Sequence, residues 1–273
     1  MLGSAVVQRL TQEQQVVQPL VRADCDLADA TAVAEWFATH RPTHVVHCAA
    51  YTDVDGCERD RDRAWRDNTR AAENVARAAA LLGARLLHLS TDYVFDGAKP
   101  APYVEEDATA PLSVYGKTKL EAEQAVRKFA PRHCIVRTSW VFGPGGRNFV
   151  RTMSELLRTR DEVRVVDDQI GTPTYTLDLA TALSEAIGLE LEGTFHVTNA
   201  GTCSWYGFAA AIAARIESPA RVLPCTTAEF PRPARRPQNS ILDNSRAQAA
   251  GLTSLRPWEE ALDDYLARLR EAA

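Results

Sequence analysis

Long apolar runs are missing from this 273-residue chain. None approaches the ~18–20 residues that a membrane span requires, and residues 1–20 carry Gln, Glu and Arg throughout, which excludes a signal-peptide core. An excess of basic charge is missing too: Lys and Arg total 31 against 36 Asp and Glu, a net charge of −5. That balance argues against a nucleic-acid binder working by broad phosphate neutralisation. The six cysteines, Cys25, Cys48, Cys57, Cys134, Cys203 and Cys225, form no C-x-x-C pair, which disfavours a zinc ribbon or a redox motif. Scattered thiols in a chain this size suit a reducing cytoplasm better than a disulfide scaffold. His40, His44, His88, His133 and His196 lack metal-ligand spacing, so no metal site is assigned. There is no fixed-period repeat and no low-complexity tract.

What is present is an ordinary globular composition, 45% hydrophobic and 25% charged, in a length that allows one large domain or two modest ones. Helical and strand patterns alternate. His44–Cys48 is a short β-rich run, and helical spacing runs from Ala64 to Leu82 with Gly83 at the C-terminal stop. Residues 85–90 read as a compact strand, 96–112 as a loop, 115–128 as a helix and 133–137 as another strand. A further strand pattern is read before Asp26. This order predicts an α/β fold, a doubly wound parallel sheet of Rossmann-like type. After Trp140 the pattern loosens. Helices are expected near 148–159, 176–188, 204–216 and 257–270, with β patterns at 162–166, 193–198 and 221–225. The stretch 230–237 carries three prolines and is neither helix nor central strand. The expected organisation is a dinucleotide-binding domain over 1–140, to which later segments return, and a smaller, mainly substrate-binding α+β region over 141–273. The alternating charges of 58–63 read as a solvated helix start.

Chemistry concentrates at two places. Tyr115 and Lys119 stand at i and i+4, on one helix face, where an ammonium beside a phenol favours proton exchange with a substrate oxygen. Thr91 ends the strand 85–90, at the carboxyl edge of a parallel sheet, where such folds bind ligands. Its hydroxyl is placed to donate to the same carbonyl oxygen.

Thr91, Tyr115 and Lys119 resemble the catalytic set of the extended short-chain dehydrogenase/reductases. His47–Asp55 resembles that group's A-A-x-T-x-V-D segment, Arg137–Phe142 its R-T-S-W-V-(Y/F), Asp168–Thr174 its D-Q-x-G-x-P-T, and Pro233–Ser240 its P-A-R-R-P-x-N-S. Together these resemble the dTDP-4-dehydrorhamnose reductase family over nearly the whole chain. The resemblance implies NADPH- or NADH-dependent reduction of the 4-keto group of a nucleotide sugar, dTDP-4-dehydro-L-rhamnose. Tyr115 would be the general acid, Lys119 would tune it and hold the nicotinamide ribose, and Thr91 would bind the keto oxygen. It further implies cofactor contacts at Leu2, Gly3, Asp26, Leu27, Ala49, Ala50, Tyr51 and Asn68, and substrate contacts at Asp92, Tyr93, Trp140, Arg235 and Arg236. For Asn68 a buried, satisfied amide is the alternative, for Trp140 a core position, for Asp26 a solvated turn, and for the two arginines plain surface charge. His47 occupies a position where the family often has asparagine and is read as a tolerated change beside the cofactor. Some members of the family are magnesium-assisted homodimers; neither property is mapped onto residues here.

The opening departs from the pattern. Met1–Val7 reads as a helix with no strand before it, and Gly3 is the one glycine left of a G-x-x-G-x-x-G turn. The chain is therefore expected to start inside the phosphate-binding loop and to bind its cofactor weakly. No acidic ribose ligand is evident near Pro19–Arg22; Arg22 points to NADPH. Two other functions compete: reduction of a different nucleotide-linked 4-keto deoxysugar, and a non-catalytic role resembling the regulatory β-subunit of methionine adenosyltransferase.

Overall fold

The computed structural model describes residues 1–271. The chain begins with α1 (Leu2–Gln12), followed by a long irregular stretch and α2 (Ala30–His40). Asp29 caps α2 by accepting from Thr31 N and Ala32 N, and Arg41 ends it in a left-handed conformation. Then come β1 (His44–His47), α3 (Val54–Arg59) and α4 (Arg61–Ala64), separated at Asp60, whose carboxylate caps α4. A π-helical turn (Trp65–Arg70) joins α4 to α5 (Ala71–Leu81), after which Gly83 adopts φ +66°. Next are β2 (Arg85–Thr91), a 3₁₀ turn (Asp92–Val94), α6 (Val114–Phe129) and β3 (His133–Thr138). The second half supplies β4 (Val141–Phe142), α7 (Phe149–Thr159), β5 (Glu162–Val166), β6 (Ile170–Gly171), β7 (Thr174–Tyr175) and α8 (Thr176–Gly188). It continues with β8 (Gly193–His196), β9 (Cys203–Ser204), α9 (Trp205–Arg215), β10 (Arg221–Cys225), α10 (Ser245–Ala249) and α11 (Trp258–Glu271).

Four strands form the main sheet in the order β1-β2-β3-β8, all parallel. Alternate residues face opposite sides, so Val45, Leu86 and Ile135 pack under α2, α5 and α6, while Val46, Leu87, Leu89 and Val136 pack against α1, α8 and α10. A separate apolar cluster joins α7, α9 and α11 to β5 and includes Phe142, Tyr175, Phe208 and Trp258. The small pairs β5–β10 (parallel), β4–β7 (parallel) and β6–β9 (antiparallel) lie outside the main sheet. Thus α8, β8 and α10, late in sequence, complete the first core.

One expected strand does not form. Residues 13–29 hold no strand, and Val16 and Val21 are exposed. Strand propensity without a pairing partner or a buried face yields irregular backbone. No helix among the described residues is long and apolar enough to cross a membrane.

Candidate active site

The carboxyl ends of β1 and β2 meet the amino end of α6. Ser113 caps α6 by accepting from Gly116 N at 3.1 Å, which fixes the first turn that carries Tyr115. Close approach matters here: a Cβ on Gly116 would lie 2.2 Å from Tyr93 O, so only glycine lets the turn sit against the loop after β2. Tyr115 packs with Cys57 and Ala64 in a cluster that also includes Tyr51 and Tyr93, and the Tyr93 ring meets it edge-on at 5.5 Å. Thr91 is buried; its hydroxyl donates to Asp92 Oδ1 at 2.9 Å and accepts from Tyr93 N at 3.2 Å.

Thr91, Tyr115 and Lys119 are therefore brought together, but the electrostatics differ from the sequence expectation. Burial pushes the Tyr115 phenol above its usual range, and the Thr91 hydroxyl pulls it back only in part. Lys119 makes no hydrogen bond to Tyr115. Its ammonium donates to Leu89 O at 2.6 Å, 3% exposed, and burial lowers it to about 8 against the opposing pull of Glu123. The i, i+4 spacing puts both residues on one face, but the buried ammonium satisfies itself on strand backbone.

Several implied contacts are occupied by the protein itself. Asn68 is fully engaged: its Oδ1 accepts from Tyr51 N at 2.7 Å, and its Nδ2 donates to Tyr51 O and to Thr118 Oγ1. It is a satisfied amide that holds the Ala49–Tyr51 segment to α6. Asp26 pairs with Arg66 and accepts from Ala28 N, while Leu27 O accepts from Asn74 Nδ2. Arg22 pairs with Asp67 at 3.1 Å. Asp92 is 2% exposed, its Oδ1 accepts from the Thr91 hydroxyl, and burial raises it to about 6. Trp140, at φ +47°, stacks on Trp205 at 3.6 Å, and a Cβ on Gly171 would strike its ring. Trp205 thus covers one face of the indole, and Gly171 lies close to its Nε1–Cζ2 side. Of the two arginines, Arg236 is held by Asp55 Oδ1 at 3.2 Å and donates to Ala234 O, whereas Arg235 is exposed and unengaged among the described residues.

His47 is buried against His88 of the neighbouring strand β2. Its Nδ1 lies 3.0 Å from His88 Nδ1, both rings are buried, and both Nε2 atoms lack partners. Burial, then the Lys119 charge, lowers His47 to about 3. The α1 amino end lies against β1: a Cβ on Gly3 would touch Cys48 at 3.7 Å, and Leu2 packs into the core there. No side chain caps that end.

Three residues escaped the sequence reading. Asp55 ties down the proline-rich loop: its carboxylate accepts from Arg232 Nε and Nη2 at 2.9 and 2.5 Å, from Ala234 N and from Arg236. Trp205 backs Trp140, and Glu123 is wholly buried behind Lys119. Asp55 stood inside a quoted segment, but its partners lie about 180 positions away in sequence and were not inferable from spacing.

A parallel sheet carrying Thr91 at a strand end, with Tyr115 and Lys119 on the adjoining helix, defines a Rossmann-like reductase of the extended short-chain class. Comparison with known proteins narrows this. The chain belongs to the RmlD substrate binding domain family, whose model matches residues 1–271. It is 43% identical to a dTDP-4-dehydrorhamnose reductase of Streptomyces griseus, over 97% of this chain and 89% of that one. Among solved structures, a dTDP-4-dehydrorhamnose reductase from Clostridium acetobutylicum superposes with a TM-score of 0.96 at 43% identity, covering 98% and 96% of the two chains. The same enzyme from Bacillus anthracis, in complex with NADP, gives a TM-score of 0.95 at 40% identity over 98% and 95%.

Proposed function

We propose that this chain reduces the 4-keto group of dTDP-4-dehydro-L-rhamnose, giving dTDP-L-rhamnose, with NADPH or NADH as reductant. The observation that carries the reading is the assembly of Thr91, Tyr115 and Lys119 at the carboxyl end of β2, in a chain of the RmlD substrate binding domain family whose relatives include dTDP-4-dehydrorhamnose reductases. The residues fit a dinucleotide: α1 has no side-chain cap at its amino end, and the small Ala49 and Ala50 follow β1. Leu2 and Gly3 would face the pyrophosphate, and Tyr51, Tyr115 and Lys119 the nicotinamide half; Asp26 and Leu27 would flank the adenine. When bound, the cofactor supplies the hydride.

The side chains supply the proton and the orientation. Burial keeps the phenol of Tyr115 protonated at neutral pH, so it is loaded to donate as the substrate oxygen gains charge. Lys119, largely protonated below about 8, lies one turn away and stabilises the phenolate left behind. Thr91 must turn its hydroxyl from Asp92 to reach the keto oxygen. Tyr93, Trp140, Arg235 and Arg236 would line the substrate side, with the exposed Arg235 available to meet the pyrophosphate. The division into a cofactor domain over 1–140 and a substrate region over 141–273 belongs to the same reading, as does a cytoplasmic setting, which the six unpaired cysteines support.

Fluorescence titration of NADPH into the purified chain, followed by turnover of a panel of nucleotide-linked 4-keto sugars, tests this. Saturable binding and preferred turnover of the rhamnose precursor are expected, with Y115F losing at least about 100-fold in kcat. Preference for another 4-keto sugar moves the assignment within the enzyme class. Stimulation of an adenosyltransferase with no keto-sugar turnover overturns it in favour of a regulatory subunit.

A further inference from the structure

Behind the reacting residues lies a buried polar cluster that the proposed chemistry does not use. Tyr115, Lys119 and Glu123 stand at i, i+4 and i+8, one above another on the face of α6 that meets the sheet. Glu123 has no exposed surface. Its Oε1 accepts from Arg137 Nε at 2.9 Å and from Ser90 Oγ at 2.5 Å, and its Oε2 accepts from Arg137 Nη2 and Arg127 Nη2, each at 2.8 Å. Ser90 and Arg137 are register partners on β2 and β3. The helix thus grips one short length of β2 three times: Tyr115 beside Thr91, Lys119 on Leu89 O, and Glu123 on Ser90.

We propose that Glu123 is a positioning residue of this site: locked by Arg137 and Ser90, it fixes the height and rotation of α6 over β2 and so sets where Tyr115 and Lys119 present their polar ends. The apolar contacts of this face, Ala122 and Val126 against Leu86 and Ile135, are non-directional, and directional ones outside the cluster, Ser113 on Gly116 and Asn68 and Thr69 on Thr118, lie on the first turns of α6. A slip of one residue along a helix shifts it by about 1.5 Å and turns it by about 100°. Apolar packing resists this weakly, whereas a two-pronged carboxylate–guanidinium pair admits one geometry. Misplacement of a reacting group by ~1 Å costs on the order of 100-fold in rate. Buried ion pairs add little net stability over apolar residues of similar size, and fixing a register is their best-attested use.

The cluster also has an electrical consequence. Glu123 lies one turn from Lys119 and holds its proton on, against burial. Other groups face the pair from every side: Arg127 on α6, His88 on β2, Arg137 on β3, and His196 on β8 against Arg137. From β1 come His47 and Cys48, and from the loop before α6, Glu105, whose carbonyl accepts from Arg137. The two histidines of β1 and β2, and His196, are held neutral by burial, so Glu123 is the anion that Lys119 senses first.

The inference rests on the reductase reading, and its test separates the two. The chain has four lysines, Lys99, Lys117, Lys119 and Lys128, so ¹³C-lysine NMR resolves Lys119 without an activity assay. In E123Q the Lys119 titration is expected to move to lower pH, and the alkaline limb of kcat with it. The apolar pair E123M/R137M is expected to fold and to keep KM for both ligands within about threefold while kcat falls at least ~10-fold. An E123M/R137M protein with parental kcat, or an E123Q protein whose Lys119 titrates unchanged, overturns the proposal. Should the double variant not fold, E123Q decides alone. Absence of turnover in the parent chain would remove the reductase reading and leave the NMR titration as the test of the Glu123–Lys119 coupling.

Discussion

Asp55 shows how much of the site is held by residues that touch no reactant. One buried carboxylate orders Arg232, Ala234 and Arg236, so the loop that carries Arg235 depends on it. Burial alone would raise the Asp55 carboxyl, but the two arginines and the Ala234 amide outweigh that and hold it below the usual carboxylate range. In D55A the loss of several charge-assisted hydrogen bonds is expected to cost about 2 kcal/mol, with the half-exposed Arg232 contributing the smaller share. KM for the nucleotide sugar should rise at least about fivefold while NADPH affinity stays within about twofold, since only the loop loses its anchor. Steady-state kinetics and NADPH titration check both. Residue identities announced Thr91, Tyr115 and Lys119, because a spacing on one helix and a position at a strand end are local facts. Other details were not local. Asn68 spends its amide on Tyr51 and Thr118, Trp140 gives a face to Trp205, and the Lys119 ammonium chooses Leu89 O over Tyr115.

At the scale of elements, the strands read at 44–48, 85–90, 133–137, 162–166, 193–198 and 221–225 all form, whereas the strand before Asp26 does not and α2 (Ala30–His40) was not anticipated. The helix read at 115–128 forms at Val114–Phe129, because Ser113 supplies a cap and its apolar residues recur with helical period. S113A is expected to lower stability by about 1 kcal/mol and to loosen the first turn of α6, raising hydrogen exchange at Gly116 and lowering kcat. A chemical denaturation curve with amide exchange at that turn measures it. The segment 64–82 holds a feature no periodicity announces, the π-helical turn Trp65–Arg70, which coincides with the inward placement of Asn68 and Thr69. The strand pattern before Asp26 does not form: Val16 and Val21 are exposed, and β1 pairs only with β2 in the described sheet.

For the molecule as a whole, buried histidines tie stability to pH. His47 and His196 are lowered to about 3, first by burial and then by Lys119 and Arg137 respectively. A histidine depressed in the folded state takes up its proton on unfolding, so below its unfolded value of about 6.5 the unfolded chain binds more protons. Stability is therefore full above about 6.5 and falls as pH drops toward about 3. Melting temperatures between pH 7 and 4 should fall steadily, and H47N, which removes one such uptake, should give a shallower slope. Equal slopes would mean that His47 is not held neutral in the fold. The sequence by itself determined the fold class and most helices and strands after His44, since these follow from periodicity and capping, and its motifs carried the resemblance that singled out Thr91, Tyr115 and Lys119. Tertiary structure alone decided which polar groups are spent on the protein itself: Asp55 on the 232–236 loop, Glu123 on Arg137, His47 on His88. Those partners lie 14 to 181 positions apart in sequence. Hydrogen bonding and burial act on proximity in space, and chain spacing carries little trace of it.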